Sequence, residues 1–335
     1  MRFAILITAL VLASCQSESS QDSKHADTHD SHAASAVSFS DYISQEDTLE
    51  ILGEGYNWSE GPIWVPNGGF LLFSDVPENK VYKWAEGEGV SIYLDPSGYT
   101  GDEGSREGAN GLLIDPDGRL LLCQHGDRRV ARMGASTDKP ASAFETVADR
   151  YDVKRFNSPN DLCMDSKGNL YFTDPPYGLP KGEADPEREL DYQGVYKVDP
   201  EGQVHLLVDN LTRPNGIALS PDENILYVAN SDPKKAVWMA YDLDDKQEIA
   251  GERLLLDKTD LVGEDNPGLP DGLKVHKDGT LFATGPGGVL LISPEGEHLG
   301  TIRTGQATAN CAFGPGQKHI YMTADMYLMR LALRK

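Results

Sequence analysis

Six stretches decide the fold: residues 60–75, EGPIWVPNGGFLLFSD; 110–125, NGLLIDPDGRLLLCQH; 160–175, NDLCMDSKGNLYFTDP; 215–232, NGIALSPDENILYVANSD; 271–285, DGLKVHKDGTLFATG; and 310–325, NCAFGPGQKHIYMTAD. Each opens on an acid or amide, usually followed by Gly. A short apolar run, a polar turn such as Asp117-Gly118 or Asp278-Gly279, and a second apolar run complete it. Two apolar runs about such a turn are the signature of a β-hairpin. The leading residues stand at 60, 110, 160, 215, 271 and 310, so the spacings are 50, 50, 55, 56 and 39. A β-rich repeat of ~40–50 residues is the period of four-stranded propeller blades. The expected fold is all-β, a single six-bladed β-propeller over residues 38–335, whose 298 residues give about 50 to each blade.

Only 25 residues follow Asn310, room for about three strands. The fourth strand of the last blade must come from elsewhere, and Asp47–Leu52 (DTLEIL) is a suitable N-terminal donor. Closure of that kind removes two exposed sheet edges. Two polar excursions, residues 178–193 and 258–269, read as surface loops rich in Pro, Gly and charge. Either is placed to cover a channel mouth.

Composition narrows the partners. Thirty Lys and Arg against 53 Asp and Glu give a net charge of −23, which repels phosphate backbones and excludes nucleic-acid binding. A hydrophobic content of 39% supports a buried core and excludes wholesale disorder. Residues 1–15, MRFAILITALVLASC, carry one early basic residue and an apolar run too short to span a bilayer. Leu12-Ala13-Ser14-Cys15 resembles a bacterial lipobox, with Cys15 as the lipidation site and Gln16 after it in the manner of outer-membrane sorting. Residues 16–37 then read as a disordered tether, and residues 38–335 as the propeller. The expected location is the bacterial periplasm or cell envelope, on the membrane only through the lipid anchor. His25, His29 and His32 in the tether offer weak metal binding at most. Cys123, Cys163 and Cys311 remain and cannot all pair with one another. No C-x-x-C, G-x-S-x-G or H-E-x-x-H occurs, which argues against a zinc ribbon, a serine hydrolase and a zincin. Nothing marks a protein partner.

If the leading residue occupies one structural position in every repeat, Glu60, Asn110, Asn160, Asn215, Asp271 and Asn310 converge on one channel entrance. Two carboxylates and four amides supply hard oxygen donors, which suit Ca²⁺, Mg²⁺ or Mn²⁺ better than Zn²⁺. Asn-Gly and Asp-Gly are also turn formers, and for any single repeat a turn is the simpler reading. Six in register, with a Glu at position 60 where a turn needs none, favour ligands.

The motifs Ser59-Glu60-Gly61-Pro62, Ser158-Pro159-Asn160-Asp161-Leu162, Arg213-Pro214-Asn215-Gly216 and Pro270-Asp271-Gly272-Leu273 together resemble the SMP-30/gluconolactonase family of six-bladed propellers. That family looks similar to diisopropylfluorophosphatase and the paraoxonases. The strand ends Cys123–Gly126 (CQHG) and Phe172–Leu179 (FTDPPYGL) also resemble its bacterial branch. The resemblance covers roughly residues 50–330. It implies a divalent cation held by Glu60, Asn160, Asn215 and Asp271, most simply Ca²⁺, with Mg²⁺, Mn²⁺ and Zn²⁺ as alternatives. It implies hydrolysis of a small sugar lactone, gluconolactone first. The cation would polarise the carbonyl, and Asp271 would activate water or attack directly. Asn110 and His125 are the candidate substrate contacts, with His125 a candidate proton shuttle. Ser158 stands where the animal lactonases of the family carry a substrate Arg, so their preference does not transfer. A phosphotriesterase or broad lactonase on the same cation, and a non-catalytic binding propeller, are the alternatives.

Overall fold

The computed structural model describes residues 37–44, 46–101 and 106–335. Cys15 and the tether histidines His25, His29 and His32 lie outside the described residues. Six four-stranded antiparallel sheets follow one another along the chain and form the blades of a β-propeller. Blade 1 consists of Ser59–Val65, Phe70–Asp75, Lys80–Ala85 and Gly89–Leu94, and blade 2 runs from Ala109–Ile114 to Phe144–Ala148. Blade 3 spans Leu162–Met164 to Val204–Val208, blade 4 Pro214–Leu219 to Ile249–Asp257, and blade 5 Leu273–Val275 to His298–Ile302. Blade 6 has Thr308–Phe313, His319–Ala324 and Tyr327–Ala332, and its outer strand is Glu50–Glu54 from the other end of the chain. Glu50 stands opposite Arg330 and Glu54 opposite Tyr327, so the closing strand is the one expected.

Burial falls off along each blade. The second strands Phe70–Asp75, Leu120–Gln124 and Leu170–Asp174 are buried throughout, whereas the outer strand Gly89–Leu94 buries only Leu94. Successive side chains of a strand face opposite ways, and here both faces meet a neighbouring blade. Leu120 and Leu122 pack with Val65, Phe70 and Leu72 of blade 1. Leu121 and Cys123 pack with Leu162, Leu170 and Phe172 of blade 3. That two-sided burial is why the second half of each repeat reads as a continuous apolar run rather than an alternating one. Cys123, Cys163 and Cys311 are free thiols. Burial raises all three thiol pKa values.

Before the closing strand, Val37 and Phe39 pack against the cluster of blades 5 and 6. Tyr42 is fully buried; its hydroxyl donates to Asp278 Oδ2 and accepts from Thr280 Oγ1, both at 2.7 Å. Among the described residues no helix is long and apolar enough to cross a membrane.

Candidate active site at the channel mouth

The leading residues are set apart by a break in the strand ladder. The pairing register slips between Glu60 and Ile63, Ala109 and Leu112, Pro214 and Ile217, and Thr308 and Asn310. In blades 3 and 5 the inner strands start only at Leu162 and Leu273, beyond Asn160 and Asp271. Glu60 and Asn310 keep ladder partners, Ser74 and Thr323, but carbonyls at the start of several blades accept bonds from the preceding one. Gly111 N–H donates to Asn160 O at 2.8 Å. Ser74 Oγ donates to Asn110 O at 2.8 Å, Thr173 Oγ1 to Asn215 O at 2.6 Å, and Thr284 Oγ1 to Ala309 O at 2.9 Å. Each hydroxyl sits one residue before the end of a second strand and grips the start of the following blade. Sequence reasoning passed over these three positioning residues.

The glycine after the leading residue has a steric cause. A Cβ at Gly61 would lie 2.1 Å from Asn110 O, and one at Gly216 would lie 2.0 Å from Asp271 O. Where the leader is followed by Gly, the inner strands approach so closely that no side chain fits between them, whereas blades 3 and 6 carry Asp161 and Cys311 at that position.

Glu60, Asn110, Asn160, Asn215 and Asp271 line one cavity of about 790 Å³. His125 lines it as well, so every residue expected at the site is brought there except Asn310. Asn310 is as buried as Glu60 and Asn160 but does not line the cavity; its Oδ1 accepts Cys311 N–H at 2.8 Å, its Nδ2 donates to Asp161 Oδ2 at 3.5 Å, and its side chain also bonds Glu60. The rest of the wall comes from loops at the same end of the blades. Trp58, Val76 and Pro233 are apolar there, Tyr177 and Arg213 polar. Of the two excursions, the second supplies wall residues, Val262, Gly263, Glu264, Asn266, Gly268 and Leu269. Residues 178–193 supply none. They are pinned by buried Arg128, whose Nη1 donates to Glu187 O at 2.9 Å.

Ser158 is a clasp in the wall behind the cavity. Its Oγ donates to Pro175 O at 2.5 Å and accepts Gly178 N–H at 2.9 Å, which fixes the turn carrying Tyr177. Asp174 anchors the same segment by accepting the N–H groups of Asn157 and Ser158, both at 2.7 Å. Asp75 does so for Asn57 and Trp58 in blade 1, at 3.2 Å each.

The electrostatics of the mouth are unusual. Burial pushes the Glu60 carboxyl up to about 7, with Asp161 adding to the effect. Burial and the neighbouring Glu60 and Asp161 hold Asp271 well above the usual carboxylate range. Asn110 Oδ1, Asn215 Oδ1 and Asp271 Oδ1 are buried without a hydrogen-bond partner, as is His125 Nε2. Unpaired buried oxygens each cost ~1–3 kcal/mol, and a structure tolerates several together where a ligand completes them. Acceptor oxygens from separate blades, with the buried carboxylates of Glu60 and Asp271 among the lining residues, suit a hard divalent cation. Among the described residues no group of three or more His, Cys, Asp and Glu stands together for a metal. The oxygens here come partly from amides. His125 Nδ1 lies 2.9 Å from Glu107 Oε2, so in the neutral ring Nδ1 donates and Nε2 is left as an acceptor.

Residues 58–325 match the family model of the SMP-30/gluconolactonase/LRE-like region. A gluconolactonase of Zymomonas mobilis is 40% identical, over 84% of this chain and 80% of its own length. The lactonohydrolase oryL of Aspergillus oryzae is 27% identical, over 77% of this chain and 64% of its own. A gluconolactonase from Xanthomonas campestris has a solved structure that superposes with a TM-score of 0.75 at 31% identity, covering 86% of this chain and 90% of that one. The match over residues 58–325 and the 40% identity over most of both chains show that the chain belongs to the SMP-30/gluconolactonase/LRE-like family.

Proposed function

We propose that this protein opens the ring of a sugar lactone, gluconolactone first, by cation-assisted hydrolysis at the channel mouth. The observation that carries the reading is the convergence of unpaired, buried oxygens of Asn215 and Asp271 on one cavity beside Glu60 and Asn160. The names of the relatives, gluconolactonase and lactonohydrolase, support a carboxylic-ester hydrolase.

Glu60, Asn160, Asn215 and Asp271 would hold the cation, Ca²⁺ before Mg²⁺, Mn²⁺ or Zn²⁺. Bound there, it would polarise the lactone carbonyl and stabilise negative charge developing on its oxygen. Asp271 Oδ1, free of any partner, takes the proton of an attacking water or attacks the carbonyl carbon itself. Its backbone is held on both flanks, its N–H donating to Thr284 O at 3.2 Å and its carbonyl packed against Gly216. His125 Nε2 and Asn110 Oδ1 face the cavity as acceptors and bind hydroxyl groups, which suits a substrate rich in them. Trp58, Val76 and Leu269 cover its carbon skeleton.

The test is proton release from glucono-1,5-lactone above the spontaneous rate, with Ca²⁺, after chelation, and in Asp271→Asn. Turnover lost in both latter arms supports the reading. No turnover with any divalent cation rejects it and moves attention to phosphotriesters and to the binding-propeller alternative.

The lipobox-like Leu12–Cys15 supports a second proposal, that the chain is lipidated at Cys15 and held in the periplasm at the outer membrane. Cys15→Ala should then shift the protein from the membrane pellet to the soluble fraction. Wild-type protein recovered from the cytoplasm overturns that placement.

A further inference from the structure

Beneath the mouth, the channel carries a carboxylate and an ammonium that the proposed reaction does not use. Asp161 of blade 3 is 2% exposed. Its Oδ1 accepts Leu162 N–H at 2.9 Å, and its Oδ2 accepts Asn310 Nδ2 at 3.5 Å. Across the ring in blade 5, Lys274 places its Nζ 3.8 Å from Asp161 Oδ2 and donates to Leu273 O at 3.0 Å. The Lys274 stem lines a separate cavity of about 610 Å³ with Ile63, Trp64 and Ala312, so the ammonium reaches inward from the end of the channel away from the mouth.

Formal charge gives this pair a meaning. Among the described residues, Glu60, Asp161 and Asp271 are the buried carboxylates that act on one another in the channel, and Lys274 is the ammonium that acts on them. With all three carboxylates ionised, the state a bound cation requires, the sum is −3 + 1 = −2. Glu107 and Arg213 stand at the rim with side chains 40% and 39% exposed, where solvent and salt screen them. Buried charges interact far more strongly than exposed ones at the same separation.

We infer that Lys274 is a positioning residue for the cation, a fixed counter-charge that leaves the channel two negative charges, so that one divalent ion, and not two, neutralises it. This rests on the reading that Glu60, Asn160, Asn215 and Asp271 hold a cation. A second positive ion has no role while the ammonium is fixed beside Asp161. Asn310 Nδ2, the other group on Asp161 Oδ2, is neutral and cannot replace it. A lysine serving only to brace Asp161 would act in the opposite sense, since its loss would loosen the site.

The experiment is calorimetric titration of chelator-stripped full-length protein with Ca²⁺ and Mn²⁺ at one pH and salt concentration. Wild type binds one equivalent. Lys274→Met, at −3, binds at least about tenfold tighter, and Asp161→Asn, at −1, at least about tenfold weaker. The double variant returns to −2 and binds within about threefold of wild type, and Lys274→Arg, which keeps the charge, does the same. Unchanged or weaker binding by Lys274→Met overturns the inference. If that variant does not fold, Asp161→Asn decides, and wild-type affinity there overturns it as well. A wild type that binds neither ion defeats the cation reading itself, a result distinct from any pattern among the variants.

Discussion

The substitution Gly216→Ala puts the close approach of blades 4 and 5 to a quantitative test. Its Cβ would sit 2.0 Å from Asp271 O and 2.8 Å from both Asp271 C and Gly272 Cα. Ordinary van der Waals contact begins at 3.4 Å, so the strands must part by 3.4 − 2.0 = 1.4 Å. All three obstacles are backbone atoms, and no rotamer change relieves them. Overpacking of this kind costs ~1–3 kcal/mol, which lowers Tm by about 2–4 °C for each kcal/mol. The effect on turnover is larger, because the displaced group is the backbone of Asp271. A misplacement of ~1 Å in a reacting group costs roughly 10²-fold in rate. The assay is proton release from glucono-1,5-lactone alongside thermal unfolding, with Gly134→Ala as control, since the nearest atom to a Cβ there is 3.5 Å away. The expected result is a kcat/KM at least about a hundredfold down for Gly216→Ala and little changed for the control. A Gly216→Ala enzyme within about threefold of wild type would refute the claim that this contact sets the position of Asp271.

Three further outcomes follow from the same geometry. Ser158→Ala removes both bonds that fix the 175–178 turn; steady-state kinetics should show KM rising more than kcat falls, with ~1–3 kcal/mol lost in denaturant titration. Asp174 is buried and burial pushes its carboxyl up to about 7 from 3.8. The folded state therefore holds the proton more tightly than the unfolded chain. The resulting stability is complete below the unfolded value and disappears as pH rises through about 7. Urea unfolding between pH 4 and 8 should show Asp174→Asn losing a fall of roughly 4 kcal/mol seen in wild type, and identical slopes would count against it. Tyr42→Ala deletes a ring packed edge-on against His276 and Phe282 at 5.4 and 5.3 Å; a loss of ~3–5 kcal/mol in thermal or chemical unfolding is expected.

The repeat was legible because two constraints coincide in it. A polar leader beside a break or an end in the ladder and, in four of the six blades, a glycine pressed against the next blade recur around the ring, and both leave residue-type signatures. The six leading residues follow from that register alone, while the choice of Glu60, Asn160, Asn215 and Asp271 as ligands came from the family resemblance. Asn310 shows its limit, because register fixes where a backbone lies but not where a side chain turns. Here the cap on Cys311 N–H and the bonds to Asp161 and Glu60 occupy its amide, and it does not line the cavity. Ser74, Thr173 and Thr284 were illegible for another reason. A single hydroxyl near a strand end is common, and only the carbonyl of a neighbouring blade, 25 to 42 residues on, gives it a role. Residues 262–269 and 178–193 have the same loop-like composition, yet only the first lines the cavity. What separates them is Arg128, buried among the backbone carbonyls of Phe156, Asn157 and Glu187, a contact no local pattern announces.

The closing strand also has a consequence for how the protein is made. Glu50 and Arg330, partners in blade 6, are separated by 330 − 50 = 280 residues of synthesis. At ~5–20 residues per second, the first strand waits roughly 15–55 s for its partner to emerge. During that interval Glu50–Glu54 is an edge with nothing to pair with, and five completed blades hold an open arc with an apolar face at each end. Such faces invite pairing with another nascent chain. The ring is thus most vulnerable until blade 6 closes it and covers both apolar end faces.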